Sequence, residues 1–310
     1  MATIRDRAEQ YLAMRHQLGF KLSKTAPYVC SFVTYLEQSG MSVVTTDAAL
    51  TWATEQTRGA NPANWARRLM IIRIFARHLQ TLEPATEIPP DDLLPLRRER
   101  ITPYLFSPTD LDALLAAAGQ LRPAFRALTY RTLFALLAVT GLRVGEACRL
   151  DCEDVDLTTG VLTITDSKFG KSRQVPVHDS TVTALADYRR QRDQRPNTRT
   201  SPAFLISIKG TRLDPENMAV PFGKLVNAVG IKAPAGQRRP RQHDLRHTFA
   251  TATLLDWYRQ GVDVQPRLPL LSTYLGHTDP RSTYWYLSGS PELLALAAQR
   301  LETSFGGHHE

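Results

Sequence analysis

The sequence predicts a mainly α-helical protein with one small β-sheet, divided into two domains. Three observations carry this expectation. Apolar residues recur at helical spacing over most of the 310 residues, in segments closed by glycine. Strand-like alternation makes only one convincing hairpin, "VLTIT" and "RQVPVH" flanking "DSKFGKS". Between the helical stretches lies "EPATEIPPDDLLPLRRERITPYLFSP", rich in proline and charge and without a clear period, which reads as an interdomain linker with the boundary near residue 100.

Taken in order, "RDRAEQYLAMRHQLG" and "KTAPYVCSFVTYLEQSG" have helical apolar spacing and end at Gly19 and Gly40. "TTDAALTWATEQ" opens with a threonine able to cap and with Asp47 in the first turn, where the helix dipole favours negative charge. "NPANWARRLMIIRIFARHLQ" starts with Asn61 as cap and Pro62 at the first helical position. These four helices make an N-terminal domain over residues 1–85, and Arg67, Arg68, Arg73 and Arg77 suggest a basic face on the last of them. After the linker, 86–102, Ser107 caps and Pro108 begins "TDLDALLAAAG", and "FRALTYRTLFALLAVTG" follows. Next come the hairpin, a basic helix from Thr181 to about Gln191, a polar loop, a strand "AFLISI" and helical segments to the end. The second domain is thus 103–310. Its last segment, 291–303, has a serine cap, a proline in the first turn and leucines at 293, 294, 296 and 301, the pattern of an amphipathic helix.

No apolar run reaches the ~18 residues needed to span a bilayer. The start, "MATIRDRAEQ", lacks the apolar core of a secretory signal, so a cytoplasmic location is expected. Cys30, Cys148 and Cys152 are an odd count that gives no disulfide framework, in keeping with a reducing compartment. The net charge is +8, with 38 Lys plus Arg against 30 Asp plus Glu. Arginine-rich basic chains suit polyanions, because the guanidinium forks onto phosphate oxygens. Solubility explains the charge equally well, so the placement of the arginines has to decide.

The densest polar island is "RQHDLRHTFATATLLDWY", where His243, Arg246 and His247 share a helix face. Two histidines at i and i+4 resemble a zinc pair, but Asp244 stands where the HExxH pattern has Glu, and no third ligand follows at a recognised spacing. A capped helix start with satisfied polar groups accounts for this segment as well. In "TGLRVGEACRLDCEDVDL", Arg143 and Glu146 lie one turn apart among apolar neighbours. An arginine in such a setting needs an anion, and Glu146 either is that anion or orients Arg143 toward something external. Asp151, Glu153, Asp154 and Asp156 read as a polar turn leading into the hairpin. Finally, "HTDPRSTYWYL" carries Tyr284 and Tyr286 on an apolar stretch, and the residues alone leave open whether either is a nucleophile or both are core.

Arg143 in "TGLRVGEACRL", Lys168 in "DSKFGKSRQVPVH", then "HDLRH", "YLGH" and a tyrosine nine residues on together resemble the tyrosine recombinase (phage integrase, Xer-like) family. The resemblance covers nearly the whole second domain. The first domain matches only as a small helical DNA-binding-like unit. The family implies a SAM-like core-binding bundle followed by a mixed α+β catalytic domain. It implies Arg143 and Arg246 as a clamp on the scissile phosphate, and Lys168, with Lys171 as fallback, as the proton donor to the leaving oxygen. His243 would assist deprotonation of the tyrosine, His277 would hydrogen-bond a phosphate oxygen, and Glu146 would buttress the site. Family spacing selects Tyr286 as nucleophile. Tyr284, about 200° round the helix, and Trp285 would then be packing residues.

The implied reaction is site-specific recombination through a 3′-phosphotyrosine and a Holliday junction, needing no cofactor and no metal. One phosphodiester is exchanged for another of similar energy, so ATP is not required, and no GxxxxGK(S/T) loop is present. The implied partners are double-stranded DNA with specific recombination sites and a homotetramer, or a hetero-assembly with a related recombinase, with the terminal helix docked on a neighbouring subunit and no membrane. A nucleoid-associated, mobile-element integrase is the expectation. The alternatives are Xer-type dimer resolution and a type IB topoisomerase-like nicking-closing enzyme.

Overall fold

The computed structural model describes residues 2–55, 62–94, 102–165, 172–195, 201–234, 237–277, 279, 281–288, 292, 293 and 295. The chain forms two compact units, Met1–Arg100 and Ile101–Glu310.

The first unit contains α1 (Ile4–Gln17), α2 (Ala26–Gln38), α3 (Thr46–Glu55) and α4 (Pro62–Gln80). Thr3 and Asp6 form a reciprocal capping box that starts α1. Phe32, Leu36, Trp52, Ile72 and Phe75 fill the core, with Trp52 edge-on to Phe32 at 5.3 Å. The expected basic face on α4 is corrected here, because Arg68 and Arg73 point inward and are 6% and 4% exposed. Arg68 lies 4.0 Å over the Trp52 ring and donates to the Trp52 carbonyl at 2.8 Å. Arg73 donates to the carbonyls of Pro89 (2.6 Å) and Pro90. A long aliphatic stem can be buried where carbonyls receive the charged head, so a helical arginine need not face solvent. Arg67 and Arg77 remain exposed, and Arg77 sits 3.7 Å from Asp91. The proline-rich stretch begins attached to this unit. Glu87 takes the Thr46 N–H on its side chain and donates its own N–H to the Val44 carbonyl.

The second unit opens with α5 (Pro108–Gly119), started by a Ser107–Asp110 capping box, and α6 (Ala124–Thr140). Gly141, at φ 61°, turns the chain into α7 (Val144–Arg149). An antiparallel sheet follows, in order β1 (Val155–Asp156), β2 (Val161–Ile164) and β3 (Arg173–Pro176), with Leu162 opposite both Val155 and Val175. The remaining helices are α8 (Asp179–Asp193), α9 (Ala219–Ala228), α10 (Gln242–Arg259), α11 (Leu268–Leu275) and α12 (Arg281–Ser288).

Two expectations change. The acidic turn before the hairpin supplies the edge strand β1. "AFLISI" is not a strand but makes single bridges, Asp151 to Ala203 and Ile206 to Arg212. Ala203 to Ile206 are fully buried, and their backbone is satisfied piecemeal. Phe204 donates to the Leu150 carbonyl at 2.8 Å and Ile206 to the Tyr188 hydroxyl at 3.1 Å.

The main core joins α5 to α9 with the sheet, and Leu245 of α10 belongs to it. A satellite core gathers Ala250, Leu254, Leu268, Leu271, Leu275, Tyr286 and Leu293. Helix α10 therefore bridges the two. Of the expected terminal helix, only 292, 293 and 295 are described; Leu293 is 1% exposed, and Glu292 pairs with Arg259. Among the described residues no helix is long and apolar enough to cross a membrane.

Candidate active site

The site is built where the ends of α6 and α11 meet the starts of α7 and α10. Arg143 is the residue before α7, and Glu146 closes the first turn. Glu146 accepts the Arg143 backbone N–H at 3.0 Å and the Arg143 Nη1 at 2.7 Å. Arg173, the first residue of β3, forks onto the same carboxylate at 3.1 and 2.9 Å. Burial would push this carboxylate's pKa up. The Arg173 hydrogen bonds, the Arg143 N–H and both guanidinium charges outweigh it and hold the pKa at about 2. Glu146 is thus a buried anion, its side chain 1% exposed, whereas Arg143 keeps 29%.

Arg246, near the start of α10, is 2% exposed. It donates from Nη1 to the Gly141 carbonyl and from Nη2 to the Leu275 carbonyl, both at 2.7 Å. One guanidinium thereby fastens the end of α6 to the end of α11. Burial, and then the nearby Arg143 charge, lower its pKa to about 10, so it stays charged at neutral pH.

Gly276 ends α11 in the left-handed conformation, at φ 71°. A Cβ there would lie 2.6 Å from Arg173 Nη1, so glycine is required for space as well as for conformation. His277 follows, half-buried, with Nδ1 2.7 Å from the Thr283 hydroxyl. Its ring stacks on Tyr286 with centroids 5.9 Å apart and planes at 24°.

Tyr286 is 4% exposed and Tyr284 is 47% exposed. Burial raises the Tyr286 pKa, while the Arg246 charge, a hydrogen bond with Arg246 and the Arg143 charge oppose that rise. Two of the paired guanidinium groups therefore already bear on this phenol.

His243 is exposed at the start of α10. The protein around it, and then the charges of Arg246, Arg143 and Arg238, lower its pKa to about 4. His247 lies one turn on, its ring 4.9 Å from His243, 5.2 Å from Trp285 and 5.4 Å from Tyr286. Among the described residues its Nδ1 is buried without a hydrogen-bond partner. Burial and the neighbouring cations lower both His247 and His277 to about 3. Among the described residues no group of three or more His, Cys, Asp or Glu could hold a metal ion, so the His243–His247 pair gains no third ligand there.

The structure thus brings together Arg143, Glu146, His243, Arg246, His277 and Tyr286. Lys168 and Lys171 lie outside the described residues, between β2 and β3 in sequence. Sequence reasoning missed Arg173, which reads only as a strand residue, and weighed His247 as a metal ligand or a satisfied polar group at a helix start, not as a neighbour of Tyr286. Three guanidinium groups converge where Glu146 supplies one buried negative charge. Such a site can take up a further anion and stabilise charge developing on its oxygens.

The model of the phage integrase family matches residues 105–292. Over 308 residues, 97% of this chain and 98% of the relative, the sequence is 44% identical to "Putative integrase/recombinase y4rB" of Sinorhizobium fredii (strain NBRC 101917 / NGR234). It is 30% identical to the tyrosine recombinase XerC of Mycobacterium sp. (strain KMS), over 76% of this chain and 75% of the relative. In fold it is similar to a lambda integrase whose tetramer was crystallised bound to a Holliday junction, with a TM-score of 0.63 and 16% identity over 90% of this chain and 79% of that one.

Proposed function

The chain belongs to the phage integrase family and is a tyrosine-type site-specific recombinase; from that premise we propose that Tyr286 is its nucleophile, with Arg143 and Arg246 as the phosphate clamp. The observation that carries this reading is the buried phenol of Tyr286, stacked on His277 and within the field of Arg246 and Arg143, while its neighbour Tyr284 faces solvent.

The chemistry follows from charge. A free tyrosine, with a pKa near ~10, is a weak nucleophile at neutral pH unless the phenolate is favoured as it forms. The phenol oxygen bonds to phosphorus, the bond from phosphorus to the 5′ oxygen breaks, and a 3′-phosphotyrosine and a free 5′-hydroxyl result. His243, neutral at pH 7, can accept the phenolic proton, and Lys168 returns one to the leaving oxygen. In the tautomer in which the Thr283 hydroxyl donates to Nδ1, the neutral His277 ring carries its proton on Nε2 and can donate it to a phosphate oxygen. Glu146 holds Arg143 in place. No cofactor takes part in any of these steps.

The proposed partners are double-stranded DNA bearing specific recombination sites and three further copies of the chain, the arrangement named for the lambda integrase of similar fold. The domains expected at 1–85 and 103–310 would both contact the duplex. A cytoplasmic, nucleoid-associated integrase of a mobile element is the biological setting proposed. A nicked suicide duplex run on a denaturing gel tests the chemistry. A covalent protein–DNA band is expected in the parent chain and in Tyr284→Phe and none in Tyr286→Phe; a band surviving in Tyr286→Phe would unseat the nucleophile.

A further inference from the structure

Arg173 has no part in the chemistry above, yet its guanidinium is among the most constrained groups of the site. It opens β3, five residues after Lys168 in sequence, and its side chain is 8% exposed. All three nitrogens are used: Nη1 and Nη2 reach Glu146, and Nε donates to the Tyr274 carbonyl at 2.7 Å. One side chain therefore joins a hairpin strand, the Arg143–Glu146 turn and the end of α11, two residues before Gly276. A Cβ on Gly276 would lie 2.6 Å from Arg173 Nη1, so this guanidinium would have to leave its place to admit one.

Glu146 is shared. Its Oε1 receives Nη1 of Arg143 at 2.7 Å and Nη1 of Arg173 at 3.1 Å. With Arg173 forked onto it, the carboxylate is already neutralised, and the Arg143 charge is left over for an external anion. Without Arg173, Arg143 would be the partner of a buried carboxylate, and an arginine drawn into such a pair has less to offer a phosphate.

We propose that Arg173 is a positioning residue for strand cleavage: by occupying Glu146 and the Tyr274 carbonyl, it keeps Arg143 available and holds the His277 turn and β3 in one arrangement. This rests on the reading of Arg143, His277 and Tyr286 as cleavage residues.

Single-turnover trapping on a nicked suicide duplex, with DNA affinity measured separately, tests it on the full chain. Arg173→Lys keeps the charge but loses the fork, and Arg173→Met removes both. The expected result is affinity within about twofold of the parent, with trapping slowed on the order of tenfold in R173K and 100-fold in R173M, the scale of loss that small misplacements cause. A second readout separates positioning from scaffolding. Glu146 is faced by Arg143 from its own turn, Arg173 from β3 and Arg246 from α10. With Arg173 removed, burial is opposed chiefly by Arg143, so Glu146 should take up its proton at a higher pH, and the trapping rate of R173M should start to fall with acid at a higher pH than that of the parent.

Should R173M not fold, R173K decides alone through its rate. A parental trapping rate and pH profile in R173K overturns the proposal, as does a lower melting temperature with an unchanged rate per folded molecule. Tyr286→Phe run in parallel keeps the two readings apart. A covalent band in that variant removes the site assignment itself, whereas its absence beside a fully active R173K removes only the role of Arg173.

Discussion

His247 and His277 are kept neutral by burial and by the arginines, and the exposed His243 by the protein around it and then by the charges of Arg246, Arg143 and Arg238, which has a signed consequence for stability. The folded-state pKa of His247 and His277 is about 3 and that of His243 about 4, all below the ordinary ~6.5. Between those values the unfolded chain binds protons that the folded chain refuses, so stability is intact near pH 7 and falls as pH drops below about 6.5. Glu146, depressed to about 2, contributes stability that is present above the ordinary carboxylate value and lost only as pH falls from ~4.3 toward 2. The histidines thus lower the melting temperature between pH 6.5 and 4.5, partly offset by Asp244, whose carboxyl is raised by burial to about 6 and so binds its proton more tightly in the folded chain, and calorimetry across that window should show the net decline. Replacing His247 by Gln should flatten the slope. Arg246 makes a second case: a lysine cannot reach both the Gly141 and Leu275 carbonyls. Arg246→Lys should cost about 1.5–3 kcal/mol in urea unfolding, the worth of one charge-assisted hydrogen bond.

At the scale of elements, the glycines that end helices fall into two kinds. Gly40 has φ 68° and open space where a Cβ would go, so Gly40→Ala should cost only about 1 kcal/mol of left-handed strain. Gly141 has φ 61°, and a Cβ there would meet Phe249 at 2.6 Å and Leu275 at 2.9 Å. Overpacking adds to the strain, so Gly141→Ala should cost about 2–4 kcal/mol and loosen the carbonyl that Arg246 grips. Paired denaturation curves of the two variants test the contrast; equal losses would show that the close packing at Gly141 carries no weight. Both turns are readable as glycines after apolar helices, but nothing local tells which is crowded.

For the whole molecule, the two units have separate cores, and their failures should be separable. Trp52 is fully buried against Phe32 and Arg68 in the first unit. Trp52→Ala should remove about 3–5 kcal/mol there, while the near-ultraviolet dichroism of the second unit's tyrosines should persist. The net charge of +8 predicts that DNA affinity falls steeply with added salt, since each phosphate neutralised releases a counterion. Filter binding between 50 and 200 mM salt measures that slope. A flat response would leave the basic charge with a role in solubility alone.

What the sequence by itself determined was whatever depends on neighbours along the chain. Thr3 and Ser107 start helices through boxes closed three residues on, Gly19, Gly40 and Gly141 follow helix ends, and the order of "TGLR", "HDLRH" and "YLGH" identifies the family. The tertiary structure decided what depends on distant partners. It turned Arg68 and Arg73 inward, divided "AFLISI" between Leu150 and Tyr188, and made an edge strand of an acidic turn. It buried Tyr286 while exposing Tyr284, and it set Arg173 on a carboxylate 27 positions away. The physical reason is range. A cap or a left-handed turn is settled by atoms a few bonds apart, whereas the state of a buried charge depends on which remote groups surround it, and only packing brings those together.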